Sequence, residues 1–167
     1  MPRSRSLNSV VVFIVVSTLM LTGMGLVSSC GSSTSTTEIT SIEVTASDGS
    51  VSDLGSYLGE RPLLISLWAV WCQPCRRELP ELSDIAGSGS VDVLALNIGD
   101  DQSRIDSFLD ELGLELPVAT DFDGAILEAL DAATVPVTVL LSPEGDVIWK
   151  HVGAVTRTEI DSALTEI

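Results

Sequence analysis

The stretch Leu63–Cys75 reads LLISLWAVWCQPC and decides the fold. Residues 63–70 form a short apolar run, which is typical of a strand buried on both faces. After Pro74, apolar residues return at helical spacing, and this predicts a helix over residues 74–86. Proline suits the first turn of a helix, where its missing N–H costs nothing. The two cysteines of this stretch therefore lie where a buried strand becomes a helix.

Strand and helix patterns alternate on both sides of this stretch. The turn signal Ser47–Gly49 predicts a small leading β-hairpin. The further predicted strands are 91–98, 116–119, 137–141 and 147–152, and the further predicted helices are 102–112, 121–131 and 156–167. Helices between strands favour a sheet with helices on both faces. The last two strands flank the turn Ser142–Asp146 and pair as a hairpin. The predicted fold class is α/β, with a central mixed sheet flanked by helices and an N-terminal β-hairpin extension.

Two of the predicted helices begin with capping signals. Asp100 or Asp101 is expected to cap the helix 102–112 and to favour its positive end. Thr156 followed three residues later by Glu159 predicts a capping box at the terminal helix.

Cys72 and Cys75 form a pair suited to thiol–disulfide chemistry. A spacing of three along a helix puts both sulfurs on one face, within reach of a disulfide. Cys72 falls at the helix N-terminus, where unpaired backbone N–H groups and the helix dipole favour a thiolate. Cys75 lies one turn further in. We therefore predict that Cys72 attacks a partner and that Cys75 resolves the mixed disulfide.

A purely structural disulfide and half of a zinc site are the alternatives for this pair. A bridge across so short a loop constrains the unfolded chain little. Tetrahedral zinc needs a second pair of ligands, whereas the predicted domain offers no further cysteine and only His151. We therefore predict no metal ligand and no cofactor other than the redox-active cysteine pair.

The N-terminus has the composition of a secretory signal. Arg3 and Arg5 precede the apolar run VVVFIVVSTLML at residues 10–21, and a basic start before such a run predicts a signal peptide, here residues 1–29. A retained membrane anchor is the alternative, because the run with its extension approaches the length of a spanning helix.

Residues 27–30, Val-Ser-Ser-Cys, resemble the bacterial lipobox. The resemblance implies that Cys30 becomes a lipidated mature N-terminus, which would anchor an extracytoplasmic lipoprotein to the cell membrane. A free or dimerising thiol is the alternative. Residues 30–40 are then the lipidated cysteine and a flexible polar linker, and the folded domain is predicted at 41–167.

The chain is strongly acidic. It carries 8 Lys and Arg against 24 Asp and Glu, a net charge of −16. Such a surface argues against nucleic acid as a partner, because phosphates require basic residues. It also argues against adsorption on anionic lipid. We interpret the acidity as a contribution to solubility, with a basic protein partner as the alternative.

The segment LWAVWCQPCRRELP at residues 67–80 resembles the thioredoxin superfamily. More narrowly, it resembles the membrane-tethered extracytoplasmic thiol reductases that include TlpA- and ResA-like proteins. The resemblance covers residues 42–167 and implies a thioredoxin-like fold.

A second match is TVPVT at residues 134–138, where this family has a cis-proline beside the active cysteines. Pro136 corresponds to it, and a plain strand-entry proline is the alternative. The resemblance implies that the backbone of Val135 pairs with a bound peptide. Trp71 is interpreted as a wall of the same substrate-binding site.

Glu78 is a third correspondence, because the reductase branch has a glutamate three residues after the second cysteine. The resemblance implies a proton acceptor for Cys75, provided that burial raises the pKa of Glu78. A solvated helix glutamate is the alternative. Thioredoxins also carry a buried aspartate six residues before the first cysteine. Here that position is Ser66, which cannot act as a base, so proton handling shifts to Glu78 or to water.

The resemblance implies an enzyme, a protein thiol–disulfide oxidoreductase that reduces disulfides in exported proteins. One role in the family is reduction of apocytochrome c during cytochrome c maturation. Gln73 and Pro74, between the cysteines, lack the histidine of strongly oxidising relatives, and this favours a reductant. A membrane electron donor would then be a partner. The alternatives are a peroxiredoxin-like thiol peroxidase and a lipoprotein that delivers copper or haem. In the copper reading, His151 would be a distal ligand.

Overall fold

The computed structural model of the chain describes residues 39–166. The predicted signal peptide, Cys30 and most of the predicted linker lie outside the described residues. Ile39 is 1% exposed and belongs to the core, so the packed domain includes residues before the predicted boundary at 41. Within the described range, no helix has the length and apolar character needed to span a membrane.

Seven strands form one mixed sheet. They are β1 (Glu43–Ala46), β2 (Val51–Asp53), β3 (Leu63–Trp68), β4 (Asp92–Ile98), β5 (Val118–Asp121), β6 (Val137–Leu141) and β7 (Val147–Val152). Their order across the sheet is β2-β1-β5-β4-β3-β6-β7. The pairs β3–β4 and β4–β5 are parallel, and the other four pairs are antiparallel. The predicted mixed sheet and the leading hairpin are thus confirmed.

Four helices complete the described domain. They are α1 (Gln73–Ser88), α2 (Gln102–Leu112), α3 (Ala125–Ala129) and α4 (Arg157–Thr165), with a short 3-10 helix at Leu54–Tyr57. The prediction of a helix over 121–131 was too long. Asp121 ends β5 instead, and its carboxylate accepts hydrogen bonds from the N–H groups of Ala125 and Ile126 at 3.1 and 2.9 Å. Strand β5 also begins later than predicted, after Pro117, whose missing N–H cannot join a ladder.

The two capping predictions have different outcomes. At α4, the side chain of Thr156 accepts from the N–H of Glu159, and the Glu159 carboxylate accepts from the N–H of Thr156, which is the predicted capping box. At α2, Asp101 occupies the N-cap position, but its side chain makes no capping hydrogen bond. Asp100 does not cap this helix either, because its carboxylate turns inward and is 3% exposed.

Strand β3 positions the cysteine motif. It lies between β4 and β6 in the interior of the sheet, and all six of its residues are buried, as its apolar sequence predicts. The strand ends at Trp68, and α1 begins at Gln73. The inward side of α1 joins the same core through Leu79, Leu82 and Ile85. The start of α1 is therefore fixed by the packing of both elements.

Candidate active site

The cysteine pair lies at the start of α1. Cys72 and Cys75 form a disulfide, with their Cα atoms 5.3 Å apart. Cys72 is the N-cap residue, and its Sγ accepts a hydrogen bond from the N–H of Cys75 at 3.2 Å. Pro74 occupies the first turn, where no backbone donor is lost. The local sequence thus places the first sulfur where the backbone N–H groups of the helix point.

The sulfurs are covered in this oxidised state, whereas Trp71 is not. Cys72 is 3% exposed and Cys75 is 1% exposed, but Trp71 is 63% exposed. A large exposed aromatic residue beside a reactive group is a usual anchor for a protein partner. Trp71 therefore presents an exposed apolar side chain directly before Cys72 in the chain.

The peptide bond between Val135 and Pro136 is cis. Both residues are buried. The next residue, Val137, opens β6 and is the register partner of Leu67 on β3, so Pro136 lies at the edge of the sheet from which the chain runs on to Cys72. The carbonyl oxygen of Pro136 accepts a hydrogen bond from the N–H of Gly153 at 2.9 Å. The peptide-binding roles of Trp71, Val135 and Pro136 remain predictions.

Glu78 is buried and hydrogen-bonded. Its side chain is not solvated, because the residue is only 3% exposed. The hydroxyls of Ser66 and Thr138 donate to its Oε1 at 3.2 and 2.9 Å, and the N–H of Val155 donates to its Oε2 at 3.3 Å. One carboxylate therefore links α1 to β3, β6 and the loop before α4.

Burial raises the pKa of Glu78 above its ordinary value. The hydrogen bonds from Thr138, Val155 and Ser66, and the positive field of His151, act in the opposite direction without cancelling the effect of burial. A raised carboxyl pKa is the property needed by a group that exchanges protons nearer to neutral pH. The position of Glu78 one turn beyond Cys75 on α1 puts this group close to the resolving cysteine.

Three polar residues form a row across the sheet beneath Glu78. Ser66 on β3 is the register partner of Thr138 on β6, which is the register partner of His151 on β7. From the sequence, Ser66 was interpreted only as the replacement of a buried acid, and Thr138 was given no role at the site. A signal was present, because each is a lone polar residue in an otherwise apolar strand, LLISLW or VTVLL.

The remaining side chains near the motif have packing roles. Arg76 forms an ion pair with Glu111 on α2, and its guanidinium lies 5.2 Å from the centre of the Phe108 ring. Trp68 is fully buried and packs on the same ring, with centroids 5.2 Å apart. The side chain of Arg77 donates to the carbonyl oxygen of Gln73 at 3.3 Å.

Within residues 39–166, no group of three or more His, Cys, Asp or Glu side chains is arranged so that it could bind a metal ion. His151 stacks on Trp149, with ring centroids 5.9 Å apart.

The fold and the cysteine pair together define a class: a thioredoxin-fold protein with a disulfide at the start of a helix. Two solved structures share the architecture. A secreted Mycobacterium tuberculosis disulfide oxidoreductase homologous to E. coli DsbE has a TM-score of 0.65 at 22% identity, covering 78% of this chain and 98% of that one. The exposed lipoprotein thioredoxin Etrx1 from Streptococcus pneumoniae has a TM-score of 0.61 at 28% identity, covering 75% and 98%.

The chain belongs to the Redoxin family, whose pattern matches residues 34–167. Curated relatives place the chain more narrowly within this family, among the ResA-like thiol–disulfide oxidoreductases of the thioredoxin superfamily. ResA of Geobacillus thermodenitrificans is 32% identical over 143 residues, which cover 78% of this chain and 82% of that protein. ResA of Bacillus subtilis is 31% identical over 108 residues, 63% of this chain and 60% of that protein. By family, the chain is an oxidoreductase of thiols and disulfides.

Proposed function

We propose that this chain reduces disulfide bonds in exported proteins through the Cys72–Cys75 dithiol. The observation that carries the proposal is a cysteine at the N-cap of α1 with a buried carboxyl, Glu78, one turn beyond its partner cysteine. The first feature favours a thiolate nucleophile. The second supplies a group of raised pKa that can accept the proton of the resolving thiol.

The reaction passes two electrons from the dithiol to the substrate. The Cys72 thiolate attacks one sulfur of a substrate disulfide, and the other substrate sulfur leaves as a thiolate that takes a proton from water. Cys75 gives its proton to Glu78, directly or through water, and its thiolate attacks the sulfur of Cys72. The mixed disulfide breaks, and the second substrate sulfur leaves as a thiolate that takes a proton from Glu78 or from water. The substrate is then a dithiol, and the enzyme is left as the Cys72–Cys75 disulfide that the structure contains.

Three features support a reducing role on a protein substrate. Gln73 and Pro74 separate the cysteines without a histidine. Trp71 is exposed beside Cys72 and offers an apolar contact. Val135 and Pro136 precede β6 at the same edge of the sheet, so an extended substrate segment can lie between them and Trp71. Apocytochrome c is one candidate substrate, and a membrane electron donor would restore the dithiol.

The same proposal places the domain outside the cytoplasm, held to the membrane by lipid on Cys30. It is supported by the lipobox-like residues 27–30 and by the similarity to an exposed lipoprotein thioredoxin. Expression with an alkyne fatty acid should label the chain, and Cys30→Ser should abolish the label. A labelled Cys30→Ser variant, or a wild-type chain without label, contradicts this part of the proposal.

Insulin reduction with dithiothreitol as the electron source tests the activity. The full-length chain in detergent should precipitate the insulin B chain faster than dithiothreitol alone, and Cys72→Ala should lose that acceleration. Cys30→Ser is the matched control, since it also removes a cysteine but lies outside the dithiol. Full activity in Cys72→Ala would contradict the assignment.

The redox potential of the dithiol tests the direction. A reductase is expected near the value of thioredoxin, about −270 mV, and an oxidase near that of DsbA, about −120 mV. Equilibration with glutathione mixtures, followed by thiol alkylation, gives the value. A potential at the oxidising end overturns the reducing role but leaves the thiol–disulfide chemistry intact.

A further inference from the structure

Ser66 and Thr138 share one acceptor across the centre of the sheet. They are directly opposite each other in the antiparallel pair β3–β6, so their side chains point to the same face. Both hydroxyls donate to Oε1 of Glu78, and the two residues are 1% and 0% exposed. Buried hydroxyls without a partner cost free energy. Glu78 satisfies both.

The two kinds of donor around Glu78 differ in what they can do when the carboxyl gains a proton. The N–H of Val155 can only donate, so Oε2 remains its acceptor in both protonation states. A hydroxyl can donate or accept by rotating about its C–O bond. If the proton of a neutral carboxyl is on Oε1, then Ser66 or Thr138 can turn and accept it. Neither a backbone N–H nor an aliphatic side chain could do so.

We propose that Ser66 and Thr138 are positioning residues that keep the Glu78 carboxyl hydrogen-bonded in both its ionised and its neutral form, so that it can take up and return a proton at one fixed position. The inference rests on the proposed function for the source of that proton, the thiol of Cys75. In the step, the S–H bond of Cys75 breaks and an O–H bond forms on Glu78, with no change in electron count. The hydroxyls alter only their orientation.

The charged and titratable groups facing Glu78 are few. On α1, Cys75 lies one turn before Glu78, and on β7 His151 acts on the carboxyl in favour of its ionised form. β3 and β6 present the two hydroxyls, and the loop before α4 presents the Val155 N–H. A titration seen at this site therefore needs a control at His151.

The test is the titration of the Glu78 carboxyl in the full-length oxidised protein, in detergent, labelled with ¹³C at the glutamate carboxyls. The resonance is assigned by its loss in Glu78→Gln. Thr138→Val, which keeps the shape but removes the hydroxyl, and Ser66→Ala should each move the titration midpoint of Glu78 to higher pH, because the lost hydrogen bond is stronger to the ionised carboxylate than to the neutral carboxyl. Thr138→Ser and Ser66→Thr keep a hydroxyl and should titrate like the wild type. His151→Gln should retain a titration at Glu78.

The same variants are then assayed for insulin reduction as a function of pH. The acid limb of the rate should move to higher pH in Thr138→Val and Ser66→Ala and should stay in place in Thr138→Ser. Midpoints that do not move in folded Thr138→Val and Ser66→Ala would overturn the inference, even if both variants melt at a lower temperature. If Glu78→Gln keeps the wild-type pH profile, the proton-acceptor role fails, whereas the NMR midpoints still report on the hydroxyls.

Discussion

The buried carboxylate of Asp100 holds the backbone N–H of Val70 at 2.7 Å, across the gap between the loop after β4 and the loop that leads into the cysteine motif. Asp100 also accepts from the side-chain amide of Asn97 at 3.1 Å and pairs with Arg104 at 3.1 Å. Val70 stands two residues before Cys72. The contact therefore fixes the approach of the chain to the reacting sulfur from a separate element.

Asp100→Ala should lower the free energy of unfolding by about 2–4 kcal/mol, since it leaves the Val70 N–H and the Asn97 amide without a partner in a buried site. Urea denaturation followed by circular dichroism measures the change. Asp101→Ala is the matched control, because its exposed side chain makes no capping bond, and it should change stability by less than about 0.5 kcal/mol. An equal loss in both variants would contradict the role given to the Val70 contact.

Stability should fall as the pH rises through the titration of Glu78. The carboxyl of the unfolded chain titrates near 4.5, and burial raises the pKa in the folded state, so the folded protein binds this proton more tightly. Its contribution to stability is thus complete below about pH 4.5 and is lost as the pH rises through the raised pKa. The difference in unfolding free energy between wild type and Glu78→Gln, measured from pH 4 upwards, should show this loss.

Glu81→Gln provides the comparison for that experiment, because Glu81 is an exposed glutamate on the same helix. It should leave the pH dependence of stability like that of the wild type. If Glu78→Gln and Glu81→Gln give the same curve, Glu78 does not titrate in the way that its burial requires.

Removal of the capping box should weaken α4. Thr156→Ala removes the side-chain acceptor for the N–H of Glu159, and loss of such an N-cap costs about 1 kcal/mol. Thermal unfolding of Thr156→Ala should show this as a lower midpoint. Thr158 is exposed and lies two residues further along the chain, so Thr158→Ala should leave the melting midpoint nearly unchanged. If Thr158→Ala lowered the midpoint as much as Thr156→Ala, the stability of α4 would not depend on its cap.

Local sequence patterns, such as apolar periodicity and turn residues, were sufficient to predict most of the strands and helices. β6 and β7 were predicted with their observed bounds, since a turn that contains Pro143 and Gly145 separates the two strands. The bounds of the short α3 were not predicted. The sequence does not show that Asp121 ends β5 and accepts a hydrogen bond from the first turn of α3. At the site, spacing alone predicted the cysteine pair at the start of a helix.

The environment of Glu78 could not be predicted in the same way. Its partners Ser66, Thr138 and Val155 lie on three separate segments and come together only through the register of β3 with β6 and the return of the chain before α4. The same holds for the contact of Asp100 with Val70, because the capping pattern named Asp100 or Asp101 as the cap of α2, and only Asp101 occupies that position. Side-chain hydrogen bonds between distant segments depend on tertiary packing, of which a single sequence carries no direct record.

Trp71→Ala should impair the reduction of proteins more than that of small disulfides. The ring is 63% exposed, so its removal should cost less than about 0.5 kcal/mol of stability. A protein substrate loses an apolar anchor beside Cys72, which should raise its KM several-fold, whereas a small disulfide such as oxidised glutathione needs only the sulfur. Ile148→Ala is the control, because this apolar side chain is 40% exposed and follows Val147, which pairs with Leu141 at the end of the sheet opposite the motif. Steady-state rates on insulin and on oxidised glutathione give the comparison. An equal loss of rate on both substrates in Trp71→Ala would show that the ring supports the dithiol itself and is not a docking contact.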